Sequence, residues 1–510
     1  MVIDLLFYTG REAAVEVTDG GCFTSEGEYE FYLNGEKTAV SNRTVMSFYK
    51  LTPDTVYTLK VVKGKDFGTV IFKTKSETVS LDVKDFGAAG DGVKDDTRAI
   101  QCAIMSCPEG GRVVVPEGTY KVYPLFLKSD MVFEIAEGAV LSAFTDRESF
   151  PVLPGNKPAS NERGECFFGT WEGEPVNSFP GILTGMNIKN TVITGEGTVD
   201  GCASTDNWWF EPKKIRIAAR PRMIFLNGCS GVTVHGITVK NSPAWNIHPY
   251  FSKDLGFYDI KILSPKISPN TDGLNPESCN GVNIVGVLFS VGDDCIAIKS
   301  GKMYMGQKYK TPSQNLSIRK CLMRDGHGAI VIGSENAGGV KDLLVEDCEF
   351  LNTDRGLRIK TRRGRGKDAI VDRVTFNRIK MDNVMTPVVI NAFYFCDPDG
   401  HSDYVQTKEA LPVDERTPAL GNFLFTNIEA KNCHVAAAYL YGLPEKKIES
   451  VTFENVNISF AKDKMSGVPA MMDGAGEMSG VGFFAKNVAK LDLKNVTVTG
   501  QTGEAVIYDE

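Results

Sequence analysis

Nothing in the sequence approaches 18 consecutive apolar residues, so no stretch reads as a membrane-spanning helix. The opening segment, Met1 to Tyr8, carries no basic residue, and Asp4 breaks its short apolar run. It does not read as a secretory signal. Twelve cysteines occur without one Cys-x-x-Cys pair, the closest two being Cys102 and Cys107. That excludes a zinc-finger spacing and a disulfide-dense scaffold, and buried, reduced thiols are expected. Together these features point to the cytoplasm. Basic side chains are also short: 56 against 64 acidic ones, a net charge of −8. A chain that coats nucleic acid or an anionic membrane would show the opposite balance. No motif calls for a metal or a cofactor. What is abundant is glycine, 51 of 510 residues, as many tight turns would require. A length of 510 residues exceeds one ordinary core, so the chain holds several domains or one repetitive one.

Residues 1–78 alternate apolar and polar side chains in short runs, such as Tyr29–Leu33, Tyr57–Val61 and Thr69–Phe72, separated by turn signals such as Asn34-Gly35. This predicts a small β-sandwich. The segment Leu51-Thr-Pro-Asp-Thr-Val-Tyr57 resembles the tyrosine corner of a fibronectin type III domain, in which the Tyr hydroxyl ties a strand to the preceding loop. Such a domain is either a spacer that docks on its neighbour or a carbohydrate-binding module. The polar stretch 73–78 reads as the linker.

A second domain, 79–510, opens on Val83-Lys-Asp-Phe-Gly87 and on Asp95-Asp96, either of which can cap a helix with apolar residues at 99/100 and 103/104. This block resembles the cap of a right-handed parallel β-helix in pectin-degrading enzymes. From about 185 the chain repeats itself: Val232–Val239, Val282–Phe289, Leu316–Met323, Leu343–Phe350 and Val451–Ile458 are versions of one alternating run. Leu316 and Leu343 stand 27 residues apart, as do Cys321 and Cys348. Repeats of that length, rich in β-branched residues and without long helices, predict a β-helix with these cysteines stacked in its core.

The rungs also bring acids together. Asp272, in Asn270-Thr-Asp-Gly273, precedes Asp293 and Asp294, in Gly292-Asp-Asp-Cys295, by 21 or 22 residues, about one compact rung. Stacked strands lie about 4.8 Å apart, so three carboxylates crowd one patch if the chain bends after Gly292. Crowding raises at least one pKa, which suits acid–base hydrolysis. The other readings are a calcium site or plain turn carboxylates. His327 stands between Gly326 and Gly328. From Arg355 to Lys367, seven of thirteen residues are basic and none is acidic. Arg358 and Lys360, two apart, share a strand face and suit a ligand bearing carboxylates.

These motifs, Asn270-Thr-Asp-Gly273, Gly292-Asp-Asp294, Gly326-His-Gly328 and Arg358-Ile-Lys360, resemble in order and spacing those of the polygalacturonase family (glycoside hydrolase family 28), from about 83 to 500. Gly195–Gly201, Trp208-Trp209 and Asn241–Pro249 add to the likeness. The resemblance implies that Asp293 is the general acid and that Asp272 and Asp294 activate water with inversion. It implies that His327 supports the acid's protonation state and the site geometry. It implies that Arg358 and Lys360 bind galacturonate, with Asn270, His248 and Lys299 as further substrate-binding residues. One-rung stacking sits poorly with the roughly 6.5–9.5 Å between the carboxylates of inverting glycosidases. The implied partner is a galacturonate oligosaccharide or polysaccharide; nothing demands a second chain. The non-repeating stretches 142–182 and 391–420, and the basic residues beyond Lys360, favour exo action. Trp171, Trp208, Trp209 and Trp245 are either sugar platforms or core. A calcium-dependent pectate lyase and a non-catalytic polysaccharide-binding β-helix remain alternatives.

Overall fold

The structure is a computed structural model that describes residues 1–162 and 164–509. Seven antiparallel strands form the amino-terminal unit. Val2–Tyr8, Ala13–Thr18 and Val45–Phe48 make one sheet; Thr24–Leu33, Glu36–Arg43, Val56–Lys63 and Asp66–Lys73 make the other. Their alternating inward residues, among them Val15, Tyr29, Phe31, Leu59 and Val61, fill one core. The Tyr57 hydroxyl accepts the Thr52 N–H at 2.9 Å, the tie expected of a tyrosine corner.

From Ser80 onward the chain winds as a parallel β-helix. Two strands per rung feed a 23-stranded sheet, and a third strand feeds a separate parallel sheet. That separate sheet has a four-stranded part ending at Ile247–Tyr250 and a seven-stranded part starting at Ile296–Ile298. Bridges at Leu274 and Glu277 link the two parts. The register matches the repeat: Leu316 pairs with Leu343. Cys321 and Cys348 lie in the continuous core between the sheets. Many turns place asparagine in the left-handed region, and their side chains form outward ladders. Asn455 and Asn495 each donate to the asparagine one rung back, Asn427 and Asn455, at 3.3 and 2.8 Å. The helix Thr97–Ser106 closes the first rung with Ile100, Ala103 and Ile104 buried. Its cap is divided between the two aspartates. Asp95 accepts the Thr97 N–H at 2.9 Å, while Asp96 binds the Ala89 and Gly90 amides at 2.7 and 3.0 Å.

The sandwich lies lengthwise along the long sheet. Arg43 meets Asp259 at 3.0 Å, Glu16 meets Arg319 at 2.7 Å, and the Cys22 thiol points to the Arg378 carbonyl. His235 is fully buried there, between Ser47 and Thr194 hydroxyls at 2.9 Å each, with Phe7 and Tyr49 packed on its ring. Burial takes its pKa down to about 3, so it is a neutral core histidine.

Candidate active site

Asp272 and Asp294 occupy equivalent places on neighbouring rungs. Leu274 bridges to Ile296 and Glu277 to Lys299, and the Gly273 N–H donates to the Asp294 carbonyl at 3.0 Å. The bend that sequence reasoning required is present, because residues 291–295 are irregular. Gly292 permits it: a Cβ there would stand 2.3 Å from the Ser268 carbonyl oxygen. Asp272 and Asp294 are buried and Asp293 is half-buried. The Asp293 carboxylate accepts the Asp294 N–H at 2.9 Å.

The three acids are not equivalent. Burial and the neighbouring Asp293 push the Asp272 pKa well up. Burial and Asp294 push Asp293 up. Burial works against Asp294 too, but Lys360 and Arg358 outweigh it and hold its pKa below the usual value. The Lys360 ammonium donates to Asp294 at 2.7 Å. Of the three, Asp294 is the one whose surroundings favour the ionised form, and those of Asp272 and Asp293 favour the protonated form. Gly328 stands beside Asp294 and Arg358: a Cβ there would meet Val331 at 2.4 Å and lie 3.5 Å from an Asp294 carboxylate oxygen and 3.9 Å from the Arg358 Cβ. Arg358 is buried and its guanidinium rests on Met471.

The other expected residues lie at different depths. His248 is fully buried, and its Nε2 bonds to Glu277 at 2.9 Å. Burial drives its pKa well down, which favours the neutral ring. Lys299 is also buried, 3.8 Å from Asp272, 3.1 Å from Glu335 and 4.5 Å above the Trp245 ring. It thus lies between Asp272 and the Glu335 layer. His327 is exposed and bonds Asp354 at 2.9 Å, a contact that raises its pKa. A charged His327 acts on Asp293 against burial, lowering its pKa. The His327 backbone N–H donates to the Asp293 carbonyl at 3.1 Å. Asn270 accepts from Arg220 at 2.6 Å.

The basic run is not a free anion site. Arg362 pairs with Asp397 at 3.0 Å and Asp399 at 2.6 Å, Arg363 with Glu445 at 2.6 Å, and Arg365 with Asp397. Lys367 pairs with Glu415 at 2.7 Å. These residues pin the 393–418 segment, and Arg358 and Lys360 are left to the cleft. Trp208 and Trp209 lie in the core and Trp245 is buried; only Trp171, half-buried and stacked on Trp245, borders open space.

A family model described as glycosyl hydrolases family 28 matches residues 167–475, most of the solenoid and all of these acids. The chain belongs to glycosyl hydrolases family 28. A "Probable polygalacturonase" of Vitis vinifera is 32% identical over 394 residues, 75% of this chain and 74% of that protein. An endo-polygalacturonase of Pectobacterium carotovorum is 30% identical over 379 residues, 71% of this chain and 84% of that protein. Among solved structures, the family 28 exopolygalacturonase of Yersinia enterocolitica superposes with TM-score 0.73 at 20% identity, over 100% of this chain and 97% of that one.

Within this family 28 site, sequence reasoning missed a buried outer layer. Glu335 is ionised, with a pKa of about 2 because Lys299 and Lys302 outweigh its burial. Glu277 is the reverse: burial and Glu335 lift it to about 8, and one of its oxygens has no partner. Neither stands in a motif. Asp354 does carry a signal, since it follows His327 by 27 residues, the rung period read from Leu316 and Leu343.

The Lys360 clamp gives a pH test. Lys360→Met removes the cation that lowers the Asp294 pKa, so that pKa rises. With Asp294 as the catalytic base, the acid limb of the kcat–pH profile should move to higher pH. An unmoved limb would show that Lys360 does not set the charge of Asp294.

Proposed function

We propose that this protein is a polygalacturonase that hydrolyses α-1,4 bonds between galacturonate residues, with inversion and from a chain end. The observation that carries the chemistry is the split protonation of the crowded acids. Asp293, half-exposed and pushed up, is placed to protonate the glycosidic oxygen. Asp294, held ionised by Lys360 and Arg358, takes the proton of the attacking water. Asp272, stacked on Asp294, orients that water. The separation relevant to inversion is then the one between Asp293 and the stacked pair, not the one-rung spacing within it. Arg358, beside Gly328, binds a galacturonate carboxylate.

Support for exo action comes from how the non-repeating stretches meet. Trp171 and Glu172 come from the first stretch and Cys396 from the second. With the 212–220 segment they enclose a cavity of about 420 Å³ against Asn270. Bridges from Lys302 to Glu172 and to Asp397, 3.5 Å each, fasten the walls. A cleft blocked beside its acids admits an end, not the middle of a chain. A product time course on polygalacturonate and short oligomers tests this. Monomer alone or dimer alone from the outset is expected; a ladder of sizes means endo action. Fresh product observed by proton resonance should carry the β-anomer; an α-anomer would mean retention.

A further inference from the structure

Beside the acids, one buried cation stands between two buried carboxylates. Lys299 follows the strand Ile296–Ile298 and Glu335 follows Ile330–Ile332, on neighbouring rungs that pair Ile298 with Ile332. Asp272 lies on the rung before. All three side chains are buried. The Lys299 ammonium donates to Glu335 at 3.1 Å and stands 3.8 Å from Asp272, outside hydrogen-bond distance. The Trp245 ring covers it at 4.5 Å, itself stacked on Trp171. Gly333 lets the pair close: a Cβ there would lie 2.9 Å from the Glu335 carboxylate and 3.4 Å from the Lys299 nitrogen. Lys360 is the contrast. It donates to Asp294 at 2.7 Å and pairs with no second carboxylate among the described residues.

One ammonium in a buried layer offsets one carboxylate, and the second acid then favours its proton. The hydrogen bond goes to Glu335, and Lys302 adds a second cation on that side. Asp272 faces Asp293, Asp294 and the Cys295 thiol among acids, and Arg220 and Lys360 among cations. It accepts from Asn275 at 3.2 Å. Burial and Asp293 act on it against Lys299 and leave it on the protonated side. Glu335 also faces Glu277, Arg365 and Tyr394. Lys299 also faces Glu277, His248 and Asp294. Behind Glu277 lies the buried Arg222, which donates to the Thr170 carbonyl.

We propose that Glu335 is a positioning residue that selects the catalytic base. By drawing Lys299 to itself it leaves Asp272 without a cation of its own. Of the two stacked carboxylates, Asp294, with Lys360, then takes the proton of the attacking water, and Asp272 only orients that water. Glu335 thereby also keeps a second negative charge from forming beside Asp293. This rests on the reading of the site as an inverting hydrolase and adds what decides between two acids that stacking alone makes equal.

The test is a titration of the full-length protein with its aspartates isotopically labelled at the carboxyl carbon and observed by magnetic resonance. Asp272→Asn identifies the Asp272 signal. Glu335→Gln keeps the shape of the side chain and removes its charge. Lys299 is then free to pair with Asp272, whose midpoint should fall by about one pH unit or more. Lys299→Met should raise that midpoint instead. The double variant should match Lys299→Met, because Glu335 acts through Lys299. If Lys299→Met does not fold, Glu335→Asp decides: it restores the charge and should return the midpoint toward that of the wild type. In kinetics, Glu335→Gln should carry the alkaline limb of the kcat–pH profile to higher pH, since a second ionised carboxylate makes the Asp293 proton harder to remove. An Asp272 midpoint unmoved by Glu335→Gln, or lowered equally with and without Lys299, would overturn the proposal. The titration needs no substrate, and hydrolysis by the wild type is scored separately. An inert wild type with the expected midpoints would refute the hydrolase reading and leave the diversion of Lys299 standing.

Discussion

Asp293→Asn is expected to lower turnover on oligogalacturonate by about 10²–10⁴-fold, the usual worth of a positioned general acid, and to leave binding nearly unchanged. The two side chains have the same shape, and the amide can still accept the Asp294 N–H that Asp293 accepts at 2.9 Å. What the amide lacks is a proton to give to the departing sugar oxygen. No neighbour replaces it. Asp294 is held ionised by Lys360 and Arg358, Asp272 lies buried beside Lys299, and His327 faces Asp354. The pH profile gives a second reading. On the proposed mechanism Asp293 acts as the protonated acid, and its pKa is raised, so wild-type activity should fall as pH climbs through that raised value. The residual activity of the variant should lack this alkaline limb, while the acid limb, set by Asp294, remains. Near wild-type turnover, or an alkaline limb that survives the substitution, would remove Asp293 from the role of acid.

The repetitive architecture and the meeting of the acids were legible because both are matters of period. A repeating rung turns sequence offset into spatial stacking, so the pairing of Leu316 with Leu343 and the meeting of Asp272 with the Asp293-Asp294 pair were predictable from numbering, while which of the two stacks on Asp272 was not. Charge state was not legible in the same way. The run from Arg355 to Lys367 looked like one cationic surface. The partners of Arg362, Arg363 and Arg365 come from Asp397, Asp399 and Glu445, in stretches with no repeat to index them. His248 sat in a recognisable motif, but a motif does not record whether its side chains reach the solvent or the layer beneath. Glu335 and Arg222 were invisible for the same reason: their significance is their burial, and burial is set by loops that cross from elsewhere in the chain.

The largest effect on stability should come from Arg112→Ala, far from the acids. Arg112 is fully buried where the sandwich meets the first rungs, and all five of its N–H groups are used. It grips Glu12 of the sandwich through two bonds, at 2.7 and 3.0 Å, together with Glu77 of the linker and Glu134 of the solenoid, the last at 2.8 Å. Thr9 accepts the fifth bond at 3.2 Å. Removing the guanidinium leaves three carboxylates facing one another away from water, with only Arg11 nearby, 2.7 Å from Glu77. Breaking a buried charge network in this way costs about 3–5 kcal/mol. Glu134 already has a raised pKa, through burial, with Arg112 in place. Without Arg112 the stranded carboxylates should take up protons more readily. A carboxylate whose folded pKa lies above its unfolded one destabilises when ionised, so the deficit of the variant should shrink as pH falls and widen as it rises. Denaturant melts across that range should show this slope, and limited proteolysis should open the 74–79 segment in the variant before it attacks the solenoid. A variant with wild-type stability at neutral pH would mean that the sandwich is held by its apolar and peripheral contacts alone. The expected result instead makes this one arginine the clasp between the two units, and the acids, carried on the separate parallel sheet, should keep their chemistry in whatever fraction of the variant stays folded.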